Sequence, residues 1–377
     1  MSLRYWIDLR TAVKGGVTFG RDRSTDGGRT CPFAGATMYL RHRDVHDMLE
    51  ASVREEGYSR TTNELGIHQL NDELFPPTGL IALSSPRHDE IRPWLDALCD
   101  GALRPWSEDE LAADAADLVS ERQEMAVRSV ATRWVAKWLF RILAALDPSE
   151  TELDDFVRWQ GTALKVGVLP RITHFLQRSS IRWAHGWRTD VVTRMTEALR
   201  PLDGPGDRED REELARAVVD TLTFAGGLSV PYWINQTTAV LWSPDDYDIP
   251  SPMDDESLTG LLFEVLRYYP LVPAVPFQKG GDRSLLYLAG ALNDPEEWEE
   301  PERFHVRDPD AYARSFVGFA EPAGGAGDRS RSCPGRDLAF ALARAWFRAV
   351  RPEGWRRTEA VTRKALIFAD VRLARQG

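Results

Sequence analysis

The chain has 377 residues, 43% apolar and 28% charged, with 28 Gly and 23 Pro; this make-up excludes a disordered chain, a collagen-like repeat and a disulfide scaffold. Against 47 Lys and Arg stand 58 Asp and Glu, a net charge of −11 that argues against nucleic acid as the main partner. Cys31, Cys99 and Cys333 are too widely spaced for a CxxC clamp and odd in number, and the opening MSLRYWIDLRTAVKGG lacks a signal peptide's apolar core, so a reducing cytoplasm is expected.

Residues 36–40 (ATMYL) alternate like a short strand, and RDVHDMLEA after them has helical spacing. From about Ser107 to Leu202 helices dominate. EDELAADAADLVSERQ, SVATRWVAKWLFRILAAL and TELDDFVRWQGTAL each place apolar residues three and four apart. Thr151 with Asp154 predicts a capping box at the start of the last one. A polar break at 203–213 opens onto the least charged stretch, Ala217 to Trp242, where Asp220 is the only charged side chain. At ~1.5 Å per residue it is roughly 40 Å long. Asp220, Asn235, Gln236, Gly226, Gly227 and Pro231 make it a poor membrane span, so a buried central helix is expected. An acidic loop (Ser243 to Glu256) precedes the helix SLTGLLFEVLRYY, stopped by Pro270. The stretch to Asp310 reads as short and irregular. A Gly-rich loop (Phe319 to Ser332) then leads to Cys333-Pro334-Gly335 and the helix RDLAFALARAWFRAV. Thirteen Trp imply a large aromatic interior. With no internal repeat and no low-complexity linker, one large, mainly helical domain is expected. Residues 1–35 read as an N-terminal extension, 36–105 as a β-rich part with a helix, and 106–377 as the helical core.

Three constellations can carry chemistry. Cys333 ends a Gly-rich loop just before an amphipathic helix, where helix N–H groups and Arg329, Arg331 and Arg336 would stabilise a thiolate nucleophile or metal ligand. A lone cysteine is more often a small buried apolar residue. Glu264 and Arg267, three apart inside LLFEVLRYYP, read as a partly buried structural ion pair rather than a solvated one. His88 and Arg92, four apart after Pro86, project from one helix face and suit a pair of carboxylates; an exposed polar face is the plainer reading.

Together these motifs resemble the cytochrome P-450 superfamily of haem-thiolate enzymes. The resemblance runs from about residue 35 to the C-terminus, with four motifs in order: PxHxxxR (Pro86, His88, Arg92), Glu-x-x-Arg (Glu264, Arg267), PERF at 301–304, and SCPGRDLAFALARA. It implies a mainly α fold, a single P-450-like helical domain with small β-sheets, and haem b (iron protoporphyrin IX) as cofactor. Cys333 is then the implied axial ligand of the iron. His88, Arg92 and Arg331 would contact the haem propionates, Gly335 would let backbone approach the group, and Arg303 would complete the Glu264–Arg267 ion pair. Haem is an apolar disc with two carboxylates, so long helices, a cationic edge and an axial thiolate suit it.

The implied catalytic stretch, Ala225, Gly226, Gly227, Ser229 and Val230, departs from the family's acid–alcohol pattern: Ser229 stands in place of the acid and Val230 in place of the threonine. Pro231 removes the hydrogen bond to the Gly227 carbonyl and should kink the helix. The loop FAEPAGGAGDRSRSCPG and RYYPLVP are similar to the peroxygenase branch, yet no Arg in Ala217–Trp242 can anchor a fatty acid. Between Pro273 and Leu285 much of a substrate-walling hairpin is expected to be missing. The resemblance implies oxidation of a small organic substrate, in specialised metabolism, with either hydrogen peroxide or O₂ and a ferredoxin/reductase as partner, and neither nucleic acid nor membrane. Alternatives are redox-neutral rearrangement, dehydration or N–O cleavage, and a non-catalytic haem-binding or recruitment protein. A further reading makes Cys333 a hydrolytic nucleophile with His305 as base. Arg336, Arg344, Arg348 and Arg351 offer either a docking face for an acidic redox partner or a solvated helix face.

Overall fold

The computed structural model describes residues 29–30, 37–54, 58–59, 87–102, 105–168, 176–199, 208–251, 253–279, 282–320, 332–364 and 367–376. Cys31, Pro86, Arg329, Arg331 and most of the Gly-rich loop lie outside the described residues.

Short strands β1 (Arg29–Thr30) and β2 (Thr37–Tyr39) lead into α1 (His42–Arg54) and β3 (Tyr58–Ser59). Helices then dominate: α2 (Arg87–Ala102), α3 (Glu108–Ser120), α4 (Val127–Ala144) after β4 (Glu124–Ala126), α5 (Glu150–Val168) and α6 (Arg178–Ala198). A long rod follows, built from α7 (Arg208–Ala217), a wide-wound π segment Val218–Gly226, and α8 (Gly227–Leu241). After α9 (Asp255–Tyr268) come β5 (Val275–Lys279), β6 (Asp282–Leu286), α10 (Leu288–Ala291), α11 (Pro309–Ser315) and α12 (Arg336–Ala349). The chain closes with β7 (Trp355–Arg357), β8 (Arg363–Lys364), β9 (Ile367–Phe368) and β10 (Arg372–Arg375). Helices form the bulk, as the hydrophobic spacing demands, and the sheets are small.

The five-stranded sheet runs β1-β2-β6-β5-β3, with β2 parallel to β6 (Thr37 opposite Ser284) and the other neighbours antiparallel. Its hairpin, β5–β6, pairs five residues from each strand, Val275 opposite Leu286 to Lys279 opposite Asp282. The expected loss of a hairpin here is therefore not met. Alternating Val275, Phe277 and Leu286 are buried on α1 (Val45, Leu49), which gives the strands an apolar face that the irregular-looking sequence conceals. A second sheet, β4-β10-β7, braces the helical core from the chain's end.

In α4 nearly every turn is apolar all round, and its buried residues run from Val127 to Ala144. Such a helix belongs inside. It packs against α8, which is equally dry: Trp233, Ile234, Asn235, Gln236, Thr237 and Thr238 are all buried. Asn235 is satisfied by the C-terminal segment, donating to Ala369 O (3.0 Å) and accepting from Val371 N (2.8 Å). Trp134, Trp159, Trp233, Trp298 and Trp346 are each under 2% exposed, so tryptophan fills the interior. The central rod is buried as expected, but its π segment has no counterpart in the periodicity reading.

One local reading is corrected. The α5 box uses Ser149 and Glu152, not Thr151 and Asp154: Ser149 N donates to Glu152 Oε2 (2.8 Å) and Ser149 Oγ accepts from Glu152 N (3.3 Å). Asp154 instead pairs with Arg133 of α4. On the Arg-rich face of α12, Arg344 pairs with Glu108 of α3, and Arg348 with Asp109 (3.1 Å) and Asp255 (2.7 Å).

One carboxylate joins α3 to α4: Asp114 accepts from Trp134 Nε1 (3.0 Å), Trp138 Nε1 (2.8 Å) and Lys137 Nζ (2.6 Å). Replacing it leaves two indole donors in the core without an acceptor. Asp114→Ala is expected to cost about 2 kcal/mol of stability, measured by urea unfolding.

Candidate functional site

Cys333 stands just ahead of α12, at the positive end of that helix, and its side chain is exposed. Its backbone N–H donates to Phe319 O at 2.9 Å, which pins the loop's return. Gly335 is the N-cap of α12. Facing the loop is α2, whose inner face presents His88 (1% exposed), Arg92 (4%) and Cys99 (8%). Arg92 Nη1 donates to Ser332 O at 2.7 Å, tying the residue before Cys333 to a helix 240 positions earlier. Its Nε donates to Asp96 Oδ1 (2.8 Å), and His88 Nδ1 lies 2.9 Å from Asp89 Oδ1.

The two described cysteines differ in chemistry. Burial pushes the Cys99 thiol far up, and the nearby charges of Cys333 and Asp96 push it further, against the opposing pull of Arg92. Cys99 is thus an inert core thiol, whereas Cys333 is exposed at a helix start beside a buried arginine, the setting that favours a thiolate.

The central rod passes on the other side. Leu222, in the π segment, reaches α12: a Cβ on Gly335 would stand 3.2 Å from Leu222 Cδ2. Of the expected catalytic stretch, Ala225, Gly226 and Ser229 are half-buried and Val230 is 3% exposed. Gly227 is pressed by α5, since a Cβ there would lie 2.6 Å from Phe156 Cζ and 2.7 Å from Gln160 Nε2. Gly226 faces Leu139 of α4. Neither glycine contact involves the cysteine loop. Thr223 is wholly buried, and among the described residues its hydroxyl has no hydrogen-bond partner. Asp220 forms a bidentate pair with Arg188 of α6 (Nε–Oδ1 2.7 Å, Nη2–Oδ2 2.5 Å).

The Glu264–Arg267 pair is fully buried and bidentate, at 2.8 Å for both contacts. Arg267 also donates to the carbonyls of Leu292 (2.9 Å) and Pro301 (3.0 Å), so one guanidinium fastens α9 to the loop before α11. Arg303 is not the third member. Its side chain is 58% exposed and pairs with Asp248 (3.0 Å), while its carbonyl accepts from Arg267 (3.3 Å). Arg307 takes the inner place, 3.5 Å from Glu264, and Tyr312 Oη donates to Glu264 at 3.0 Å. Burial, then the like charge of Arg267, lowers the Arg307 guanidinium; burial, then Glu264, raises the Tyr312 phenol. Arg307 lies within the same stretch as PERF, but nothing in its sequence neighbourhood distinguishes it from Arg303. His305 belongs to this network through its backbone N–H (3.4 Å to Glu264 Oε1) and is not paired with Cys333.

No known family model matches the sequence, and no curated protein is similar to it. Solved structures do match the fold from end to end. CalO2 superposes with a TM-score of 0.69 at 20% identity, over 100% of this chain and 98% of that one. P450BioI, in complex with an acyl carrier protein carrying hexadec-9Z-enoic acid, gives 0.70 at 15% identity, over 97% and 99%. Cytochrome P450EX alpha with myristic acid gives 0.72 at 16% identity, over 97% and 96%. Long helices around one rod with small flanking sheets are thus an architecture this chain shares with them. The chain has the cytochrome P450 fold. Among the described residues, no helix is long and apolar enough to cross a membrane.

Two substitutions probe this frame. Gly227→Ala puts a methyl group against Phe156 and Gln160, so a fall in melting temperature of several degrees is expected. Glu264→Gln leaves Arg267 an unbalanced buried charge, and loss of about 3 kcal/mol or more is expected in chemical denaturation.

Proposed function

We propose that the chain is a haem-thiolate enzyme of the cytochrome P-450 type, in which Cys333 would supply the thiolate that holds the iron of haem b, acting on a small organic substrate. One observation carries the reading: an exposed thiol at a helix start, held there by a buried arginine that bonds the preceding carbonyl.

The donor set fits an iron porphyrin chemically. A Cys333 thiolate would ligate the iron and His88 and Arg92 would give the edge of the site its polar groups, with the Arg92 guanidinium already engaged by Asp96 and Ser332. Leu222 of the rod reaches Gly335 at the start of α12, so a bound ring system would meet this side chain. When bound, a thiolate-ligated haem supplies oxidation by O₂ or peroxide. The protein's part is then to place and exclude. The α12 dipole and the local backbone hold Cys333 as an anion, and Arg92 fixes the distance between the loop and α2. Phe156, Trp159 and Trp187 pack on one another in the core beside the rod, with Trp159 and Trp187 centroids 4.9 Å apart.

Val230 offers no hydrogen-bond donor, and Ser229 is a poor proton carrier. This favours hydrogen peroxide as oxidant, which brings its own protons and electrons: a substrate C–H and H₂O₂ give C–OH and water. The same residues favour, as second reading, redox-neutral chemistry that needs no proton delivery. A place in specialised metabolism, peroxide use and a cytoplasmic setting belong to this proposal.

Purified protein should show the absorption of a thiolate-ligated carbonyl complex, and Cys333→Ala should abolish it. Product formation with peroxide alone is expected for the first reading. Turnover that requires NAD(P)H and a reductase would count against both readings, and product formed with no oxidant would establish the second.

A further inference from the structure

Helices α5 and α6 carry a charge pattern that the thiolate reading does not use. Between Asp155 and Asp190 the sequence has no acidic residue, yet it holds Arg158, Lys165, Arg171, Arg178, Arg182 and Arg188, in a chain whose net charge is −11. Arg158 of α5 and Arg178 and Arg182 of α6 are exposed. Among the described residues, none of these three guanidiniums has a carboxylate partner. The acids at the start of α5 are taken by other arginines: Glu152 pairs with Arg194, and Glu150 and Asp154 pair with Arg133 of α4.

The three free cations share one side of the helix pair. Ala184, Arg188, Val191 and Met195 form the buried face of α6. Arg178 and Arg182, four apart, lie together on the outer face, where like charges one turn from each other are mutually unfavourable. Trp183, about 100° round from Arg182, flanks that face. The Arg158 guanidinium lies over the Trp183 ring, 3.9 Å from its centroid, so α5 adds its cation at the same flank and holds it flat. Guanidinium forks take carboxylates two oxygens at a time, and Arg and Trp are the residue types that dominate protein–protein contacts. A long polyanion is repelled by the chain's overall charge. A lipid surface asks for a broad apolar face, whereas the exposed residues on the outer side of α6 are Arg178, Ser179, Arg182, Gly186 and Thr189, with the single exposed leucine Leu176 ahead of the helix. Carboxylates four apart on a helix match the spacing of Arg178 and Arg182. We propose that the outer face of α6, with Arg158 of α5, docks an acidic helix of a partner protein. This goes beyond the haem-thiolate reading and does not depend on it.

The test is fluorescence anisotropy with a labelled, alanine-rich helical peptide carrying glutamate at every fourth position, and with its glutamine counterpart. The unsubstituted protein is expected to bind the glutamate peptide at least about tenfold more tightly, with a margin that shrinks as salt is added. Combining Arg158→Ala, Arg178→Ala and Arg182→Ala should remove the margin, whereas Arg133→Ala, at an arginine already paired, should keep most of it. Equal binding of the two peptides would overturn the proposal, and that comparison needs no variant. A folded triple variant with unchanged affinity for the glutamate peptide would overturn it too. So would stronger binding to vesicles of phosphatidylglycerol and phosphatidylcholine in equal parts, which would assign the face to a membrane. Binding is read here without turnover, so a missing carbonyl-complex spectrum, fatal to the haem assignment, leaves this result standing.

Discussion

The site depends first on one hydrogen bond across the chain, from the Arg92 guanidinium to the Ser332 carbonyl. Cys333 stands exposed at the loop's end and is held by two backbone-directed bonds, this one from α2 and that of its own N–H to Phe319 O. Because Arg92 is itself held by Asp96 and almost wholly buried, the anchor is stiff. Stiffness is what the proposed iron-ligating role of Cys333 would require, since a ligand's basicity follows from the donors and dipoles around it. The carboxylate of Glu264 plays the same part for the other side of the fold. It gathers Arg267, Arg307, Tyr312 and the His305 N–H, and so joins α9 to a stretch with little regular structure.

Much of this was readable beforehand, for physical reasons. Helices declare themselves by spacing, and α4, α5, α9 and α12 lie where the apolar period puts them. His88 and Arg92 fall on one buried face because they are four apart, and Glu264 and Arg267 pair because they are three apart. The strands were harder. In β5 and β6 the buried face belongs to Val275, Phe277 and Leu286, too few residues to stand out from the polar ones around them. Arg303 and Arg307 were not separable either. Their fates are decided by a turn: Glu300 adopts a positive φ of 43°, and the chain beyond it turns the Arg303 carbonyl toward Arg267 while the side chain points to solvent. Ser149 outbid Thr151 as cap because Glu152 lies at the reciprocal position.

Val230 is buried and donorless, in line with its chemistry, yet Gly226 and Gly227 serve packing: they let α4 and α5 lie close on the rod. Gly227 in particular has no room for a side chain of any size. Asp220 was visible as the one charge in an apolar run, but not its bond to Arg188, 32 residues before it on another helix.

The π segment carries a consequence for how this chain should be compared with others. A turn closed by i→i+5 bonds holds more residues than the usual 3.6, so angular phase slips as the rod passes through Val218–Gly226. Residues on either side of it cannot be superimposed by counting along an ideal cylinder. A gapless alignment that keeps Gly226 and Gly227 in register therefore assigns Asp220, Thr221 and Leu222 to the wrong azimuth, and any homology-based transfer of roles along this rod has to be made separately for its two halves.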